Sequence, residues 1–471
     1  MTIDAPQTVE HAGLQNRAFE AVKTSMSVTH EESLFMTAHT SIHLAASPAS
    51  APRRPLKVAL FGFGTVGASV ARILAERTEL GGRIQLTHVF NRDVARKRVD
   101  WVPPSVAWTQ NVEEALASRP DVVVEVMGGV PDAYAIVRRA LEQGASVVTA
   151  NKMLLAAHGP ELLRLAGERG AQIRFEAAVG GGVPLIHGVR EGLSGDTLTG
   201  VAGILNGTCN YILSRMSDTD EAMDVVLKDA QKLGYAEADP TADVDGFDAA
   251  AKLVVLAGIA FRRHMTLDEI PKGTIRTISS ADFRYARRLG CTIRQISQMH
   301  QHAGHFYASV GPALVPGGSS FGRNLGANNV VTIYGKYGGE SAFSGAGAGG
   351  PATAVAVVSD LLALTQRSGP EAEIWESVGL GEAPARPYYL RFVVRDRPGI
   401  LAAIASSLAG EHVNLDAVLQ EPGYPKEALP FVITVESCEE SSLRRALARI
   451  SAEPWHAEPP LALPMLTDDN S

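Results

Sequence analysis

The chain has 471 residues, 45% of them hydrophobic and 20% charged, enough apolar material for two to four domains at roughly 150 residues each. Its formal charge of −8 excludes a general nucleic-acid binder, because a phosphate backbone demands a basic surface. No apolar run approaches the ~20 residues of a membrane span, and Cys209, Cys291 and Cys438 lie too far apart for a zinc spacing or a disulfide framework, so a reducing cytoplasm is expected.

Residues 1–54 are rich in Ala, Ser, Thr and His and end in "SPASAPRR". They read as a poorly ordered leader, with Met36 an alternative start. A targeting peptide is the other reading, but Glu10, Glu20, Glu31 and Glu32 are unlike an acid-poor transit sequence. "LKVALFGFGTVGASVARILAER" (Leu56 to Arg77) is then an apolar strand, a glycine turn and a helix. Gly62, Gly64 and Gly67 form G-x-G-x-x-G. The first permits the tight turn, the second lets backbone approach a pyrophosphate, and the third lets helix pack on strand. The amides opening the helix would face the phosphates.

The second strand, "RIQLTHVF", ends at Asn91-Arg92, where an NAD site usually carries an acid for the ribose hydroxyls. A neutral amide followed by Arg92, Arg96, Lys97 and Arg98 suits a 2′-phosphate, so NADP(H) is preferred and NAD(H) is the alternative; Asp93 argues the other way. "DVVVEVMGG", "PDAYAIVRRALEQG", "ASVVTANK", "GPELLRLAGERG" and "AQIRFEAAVGGG" continue as strand, helix, strand, helix, strand. That alternation implies a parallel sheet with its ligand at the strands' carboxyl ends, where Lys152 sits.

"DVDGFDAAAK" (Asp243 to Lys252) runs into "LVVLAGIA", apolar around its whole circumference and therefore a buried helix. Asp248 and Lys252 are four apart and share a face. On an exposed helix that pair is worth only ~0.3–0.5 kcal/mol; at the mouth of a buried one, the lysine points into a cleft. Burial would lower its pKa and Asp248 would raise it again. His300, His302 and His305 form H-x-H-x-x-H, but "CTIRQISQMHQHAGHFYASV" reads as two strands about a His-Ala-Gly turn, with His300 and His302 on an exposed face rather than on a metal. From Tyr388, "YYLRFVVRDRPGILAAIASSLAGEHVNLDAVLQ" reads strand, turn, helix, strand, and "LPFVITVES" and "SSLRRALARIS" add a strand and a helix.

Together "GFGTVG", "EVMGG", "VVTANK", "FEAAVGGGVPLI", "GILNGTCNYIL", "GYAEADPTADVDGFDAAAK" and "GAGAGGPATA" resemble homoserine dehydrogenase, collinearly from about Leu56 to Leu362. "DRPGIL" and the β-α-β-β-α order behind it resemble an ACT domain. The resemblance implies an α/β protein. A Rossmann-type nucleotide-binding domain spans 55–178 plus about 345–370, with a late helix at about Pro351 to Ser368 returning to it. An α+β substrate and dimerisation domain with a mixed sheet spans 179–344. A ferredoxin-like ACT domain follows at 386–455, then a tail at 456–471. No aspartate-kinase domain is apparent.

The activity implied is NAD(P)H-dependent reduction of L-aspartate 4-semialdehyde to L-homoserine, on the way to threonine, methionine and isoleucine. Gly62, Phe63, Gly64, Thr65, Val66, Gly67, Arg92, Lys152, Gly234 and Gly349 would hold the cofactor. Lys252 would donate the proton beside Lys152, with Asp248 orienting it; which lysine donates stays open. Glu237 would take the substrate's ammonium, with Thr208, Asp243 and Asp248 around it, and Thr208 is also a candidate helix cap. For Asp239 a turn before Pro240 is as good a reading. "EAAVGGGVP" matches a monovalent-cation loop in which Glu176 and the carbonyls of Val179, Gly181 and Val183 would hold sodium; a glycine-rich connection is the alternative. Asp396, Gly399 and Asn414 would bind an effector such as L-threonine in a homodimer or homotetramer, although the proline-rich "EPGYPKEALP" departs from the usual connection. A catalytically silent amino-acid sensor and a dehydrogenase of a related amino aldehyde are the competing functions.

Overall fold

The computed structural model describes residues 54–366 and 373–466; residues 1–53 of the expected leader, the last two residues of the expected late helix and 467–471 of the expected tail lie outside them. Among the described residues no helix is long and apolar enough to cross a membrane.

The first layer follows the strand–helix alternation. In order come β1 (Leu56–Phe61), α1 (Thr65–Glu76), β2 (Ile84–Phe90), α2 (Val94–Lys97), β3 (Ala107–Thr109), α3 (Val112–Ala117), β4 (Val122–Glu125), α4 (Pro131–Glu142), β5 (Ser146–Thr149), α5 (Lys152–Glu168) and β6 (Ile173–Arg174). The strands are all parallel, in the order β3-β2-β1-β4-β5-β6. Val58, Leu60, Val122, Val124 and Val148 serve one core face of the sheet, and Ala59, Phe61, Val123 and Val147 the other. This is why these strands are near-continuous apolar runs.

Two boundaries differ from the sequence reading. The α5 helix begins at Lys152, a full turn and more before the expected "GPELL", and carries Pro160 inside it. Proline leaves the carbonyl four residues back without its amide partner. Here that carbonyl is Ala156 O, and Nε2 of the buried His264 donates to it at 2.9 Å. The strand expected over "AQIRFEAAVGGG" stops after two residues. A 3-10 turn, Glu176–Ala178, follows, because the buried Glu176 carboxylate accepts from the amides of Ile186 (2.9 Å) and His187 (2.7 Å) and draws the chain off the sheet.

The second layer contains α6 (Leu185–His187), β7 (Leu198–Ile204), α7 (Gly207–Thr219), α8 (Met223–Lys232), α9 (Thr241–Val244), α10 (Phe247–Phe261), the short β8 (Arg263–His264), α11 (Ser280–Arg288), β9 (Cys291–His302), β10 (His305–Pro316), β11 (Asn328–Gly335) and β12 (Gly339–Ala346). Five strands form a sheet in the order β10-β9-β7-β11-β12, and every pairing is antiparallel, not mixed as expected. Tight hairpins join β9 to β10 and β11 to β12, and hairpins produce only antiparallel neighbours. The α10 helix, buried nearly all round, packs between this sheet and α5.

The chain then returns through α12 (Gly350–Gln366), which lies on α1. Contact is close enough that a Cβ on Gly350 would sit 2.7 Å from Thr65 Cγ2. After the two-residue β13 (Glu376–Ser377) come β14 (Arg386–Val394), α13 (Ile400–Ala409), β15 (Leu415–Gln420), β16 (Leu429–Cys438), α14 (Glu440–Ser451) and β17 (His456–Pro464). They build an antiparallel sheet in the order β15-β16-β14-β17 under two helices. Residues 456–464 of the expected tail are its edge strand, paired with β14 from Tyr388↔Pro464 to Val394↔His456. Pro459, Pro460 and Pro464 disguise it in the sequence, yet an edge strand tolerates residues that cannot donate to a ladder.

Candidate active site

A cavity of about 890 Å³ opens where the carboxyl end of β5 meets the starts of α7 and α10. Three elements deliver its charged groups. Asn151, two residues past the end of β5, caps α5 by accepting from Leu154 N at 3.1 Å, which sets Lys152 on the first helical position. Asn206 caps α7, accepting from Cys209 N at 2.8 Å. The α10 helix carries Asp248 and Lys252 one turn apart.

These groups form one network. Lys252 Nζ donates to Asp248 Oδ2 at 2.7 Å and to the carbonyl of Leu205 at 2.8 Å. Lys152 Nζ lies 3.1 Å from the other Asp248 oxygen. Asn206 Nδ2 donates to Asp248 at 2.9 Å and to Asp243 at 2.6 Å. Lys252 is the better enclosed of the two amines, its side chain 13% exposed against 31% for Lys152. Burial pushes the Asp248 carboxyl up, but Lys252 and Lys152 outweigh it and hold the group well below the usual carboxylate range. Burial raises Asp243, against the hydrogen bond from Asn206. Both acids and both lysines border the cavity.

Thr208, Gly234, Glu237, Asp239, Gly349 and Val66 border it too. Thr208 does not cap α7: that position belongs to Asn206, and the Thr208 hydroxyl donates to Tyr235 O at 2.7 Å. Glu237 is exposed toward the cavity. Asp239 accepts from Thr241 N at 3.0 Å, the turn that introduces α9.

The glycine turn fits a dinucleotide. Gly62 has φ +105° and a Cβ there would lie 2.8 Å from Val126 O; on Gly67 it would lie 2.0 Å from Gly62 O, while Gly64 has no neighbour within 4 Å. Two glycines are therefore demanded by packing and one leaves open space beside the amides that start α1. Thr65 is exposed, whereas the Phe63 side chain turns into the core against Trp108 and Trp101. Past β2, Asn91 Oδ1 accepts from Asp93 N, and Asp93 caps α2 by accepting from Arg96 N at 3.2 Å. Arg92 is exposed and pairs with Asp132 at 2.5 Å.

Around the expected cation loop, both oxygens of the Glu176 carboxylate are occupied by main-chain amides, and Val183 O accepts from Leu185 N at 2.8 Å. The Glu176 carboxyl is raised by burial, and His187, raised by its hydrogen bond to Asp360 (3.0 Å), completes a Glu176–His187–Asp360 group within ion-sharing distance. His300, His302 and His305 make no such group among the described residues. The strand–turn–strand reading there holds, but His300 is half-buried against Tyr334, not on an exposed face, and burial pushes it down to about 4.

Within one chain the expected effector residues stand apart. Asp396 and Gly399 precede α13, and Asn414 follows it, donating to Glu436 at 3.2 Å. Ten helical residues separate them by about 15 Å. The sequence places Asn206, Gly207 and Thr208 at a helix entry, as found, but does not show that Asn206 joins both acids; two further supports it passes over are the Leu205 carbonyl and Glu125, fully buried and accepting from Thr149 Oγ1 (2.6 Å) and Met127 N (2.9 Å) where β4 ends. An Asn just before a helix is a cap signature; a main-chain carbonyl leaves no signature.

Comparison with known proteins follows the same lines. The family model for the homoserine dehydrogenase NAD-binding domain matches residues 62–176, that for homoserine dehydrogenase itself matches 184–362, and that for the ACT domain matches 388–454. The chain is 36% identical over 418 residues to the homoserine dehydrogenase of Pseudomonas aeruginosa, covering 85% of this chain and 96% of that one. It is 40% identical over 384 residues to that of Mycobacterium tuberculosis, covering 78% and 87%. Among solved structures, a homoserine dehydrogenase from Thiobacillus denitrificans superposes with a TM-score of 0.80 at 33% identity, over 88% of this chain and 98% of that one. A hyperthermophilic archaeal homoserine dehydrogenase in complex with NADPH superposes with a TM-score of 0.57 at 26% identity, over 68% and 99%.

Proposed function

The chain belongs to the homoserine dehydrogenase family, NAD(P)-dependent oxidoreductases acting on a CH–OH group, and from that premise we propose which of its residues carry the reaction and how. The substrate pair is L-aspartate 4-semialdehyde and L-homoserine. A bound nicotinamide coenzyme supplies or accepts the hydride. Lys252 is the proton donor. An ammonium has three N–H bonds; two of Lys252's are committed to Asp248 and Leu205 O, and the third remains for the oxygen on which negative charge grows. That amine on the cavity wall, with one donor of three uncommitted, is the observation that carries the reading. Asp248 keeps its negative charge throughout and so fixes Lys252 in place. Lys152, looser and more exposed, stabilises charge near the nicotinamide without donating.

The substrate's ammonium goes to Glu237, and Asn206 holds Asp243 and Asp248 at the spacing a small polar substrate needs. Thr208 presents its oxygen beside them. NADP(H) is the preferred coenzyme: Asp93 is occupied in capping α2, and Arg92 offers its guanidinium from an exposed pair that a 2′-phosphate can displace. The turn Gly62–Gly67, Gly234 and Gly349 would hold the coenzyme. A sodium ion in the Glu176–Val183 loop would be held by main-chain oxygens, including those of Glu176, Val179 and Gly181, because the Glu176 carboxylate is already engaged. The enzyme works in the cytoplasm, in keeping with its free cysteines, as a homodimer or homotetramer. L-Threonine binding at Asp396, Gly399 and Asn414 then needs residues from two copies. Loss of NADPH absorbance with L-aspartate 4-semialdehyde, run with NADH alongside and with or without L-threonine, tests these readings; no turnover with either coenzyme would refute the first.

A further inference from the structure

One buried cation lies far from that chemistry. Arg386 opens β14, where the chain passes from the five-stranded sheet to the ACT sheet, and it is 6% exposed. Among the described residues no carboxylate lies within ion-pair distance of it. Its one hydrogen bond there is from Nε to Pro384 O, a long 3.4 Å, and its guanidinium lies 4.6 Å above the Tyr307 ring. Its remaining N–H groups face cavity space rather than protein acceptors, and there an anion can pair with them.

Arg386 borders two adjoining chambers in the seam between the sheets, of about 380 and 510 Å³. The first supplies what an anion and an apolar group need together. Ser309 Oγ accepts from Tyr307 OH (2.6 Å) and Gln298 Nε2 (3.2 Å), so its own O–H is left to donate. Leu443, Leu447 and Leu463 form an apolar wall, and at its edge stands Glu440, one oxygen of which accepts from Arg444 at 2.7 Å while the other is left for a ligand.

We propose that this seam binds a small aliphatic amino acid, its carboxylate on Arg386 and Ser309, its ammonium toward Glu440 and its side chain on the leucine wall. The site is distinct from the Asp396, Gly399 and Asn414 positions. It also reaches the catalytic helix. Lys272, Gly273 and Val310 line the same chamber, and Gly273 N donates to Val310 O at 2.7 Å. Gly246, which starts α10, lies against Val310 so closely that a Cβ there would sit 3.1 Å from Val310 Cγ1. A ligand that spreads or tightens this wall therefore bears on the helix holding Asp248 and Lys252. The binding claim stands alone; the effect on turnover rests on the function proposed above.

Calorimetric titration of the full-length protein with L-valine, L-isoleucine, L-methionine and L-threonine, each separately, tests it. At least one should bind one per chain, Arg386→Gln should weaken that binding about tenfold or more, and Asn414→Ala should leave it unchanged. Turnover without ligand should stay within about twofold in Arg386→Gln. Should Arg386→Gln not fold, Ala462→Leu, which narrows the chamber, is read by the same criteria. No binding by wild type, equal binding by Arg386→Gln, or loss of binding in Asn414→Ala alone would each overturn the proposal. So would a change of oligomeric state in Arg386→Gln with no change in binding, which would assign the seam to a second copy.

Discussion

Two of the buried networks among the described residues are built from the same chemistry and differ in what they face. In the cavity, Asp248 joins Lys252, Lys152 and Asn206. Between α11 and the ACT sheet, Asp282, wholly buried, joins Arg391, Tyr389 and Ser279. Both Asp282 oxygens are taken, one by the Tyr389 hydroxyl (2.8 Å) and the other by Arg391 and by the Ser279 amide and hydroxyl. Burial and charge pairing are thus common to both. Only the first leaves a donor direction open to a space large enough for a ligand, so access, rather than burial, separates a site for chemistry from a tether between sheets.

Substitutions should divide along that line. The largest effect is expected for Lys252→Met: kcat/KM should fall about 10³- to 10⁴-fold, the upper range for a lost general acid, while the melting temperature and NADPH binding stay near wild type. A variant that instead melted early and kept its turnover per folded molecule would erase the distinction. Asp282→Ala should do the reverse. Arg391 then loses its buried carboxylate and keeps, besides Ser279 Oγ and Thr277 O, only the 3.7 Å contact to the exposed Glu458; the loss is at most about 3–5 kcal/mol, read as a lower urea midpoint, with the folded fraction active to within a few-fold. Asn206→Ala sharpens the comparison from inside the cavity. It removes hydrogen bonds to two carboxylates, about 1.5–3 kcal/mol, and should lower kcat/KM by about 10- to 100-fold, while the lost α7 cap costs about 0.5–2 kcal/mol of stability, less than Asp282→Ala.

The smallest effect concerns pH. His187 is raised by its hydrogen bond to Asp360, so the folded chain holds a proton that the unfolded chain releases near about 6.5. Its contribution is complete below that pH and is lost as pH rises through the higher folded value. Glu176, raised by burial, acts in the same sense. His187→Gln should therefore flatten the fall in urea midpoint between pH 6 and 9; a fall as steep as wild type would remove His187 from this role.

What was legible in the sequence was local. The β1 strand, the glycine turn and α1 are contiguous, and period and turn chemistry announce all three. The Asp248–Lys252 pair is likewise one helical turn. What stayed hidden depends on partners far along the chain. Pro160 stands inside a helix because His264, 108 residues beyond Ala156, takes up the orphaned Ala156 carbonyl. Strand β17 is cut by prolines that only its edge position excuses. Nothing near Arg386 in sequence says that it is buried without a carboxylate, and nothing near Asn206 says that Asp243 and Asp248 meet on its amide.

The account's central claim is that the one uncommitted N–H of Lys252 serves the reacting oxygen. A crystal structure with L-homoserine and NADP⁺ bound tests it most directly. The account predicts the substrate hydroxyl within about 3 Å of Lys252 Nζ, with Asp248 and Leu205 O still accepting from the same amine. A hydroxyl held by Lys152 alone, with Lys252 out of reach, would contradict it.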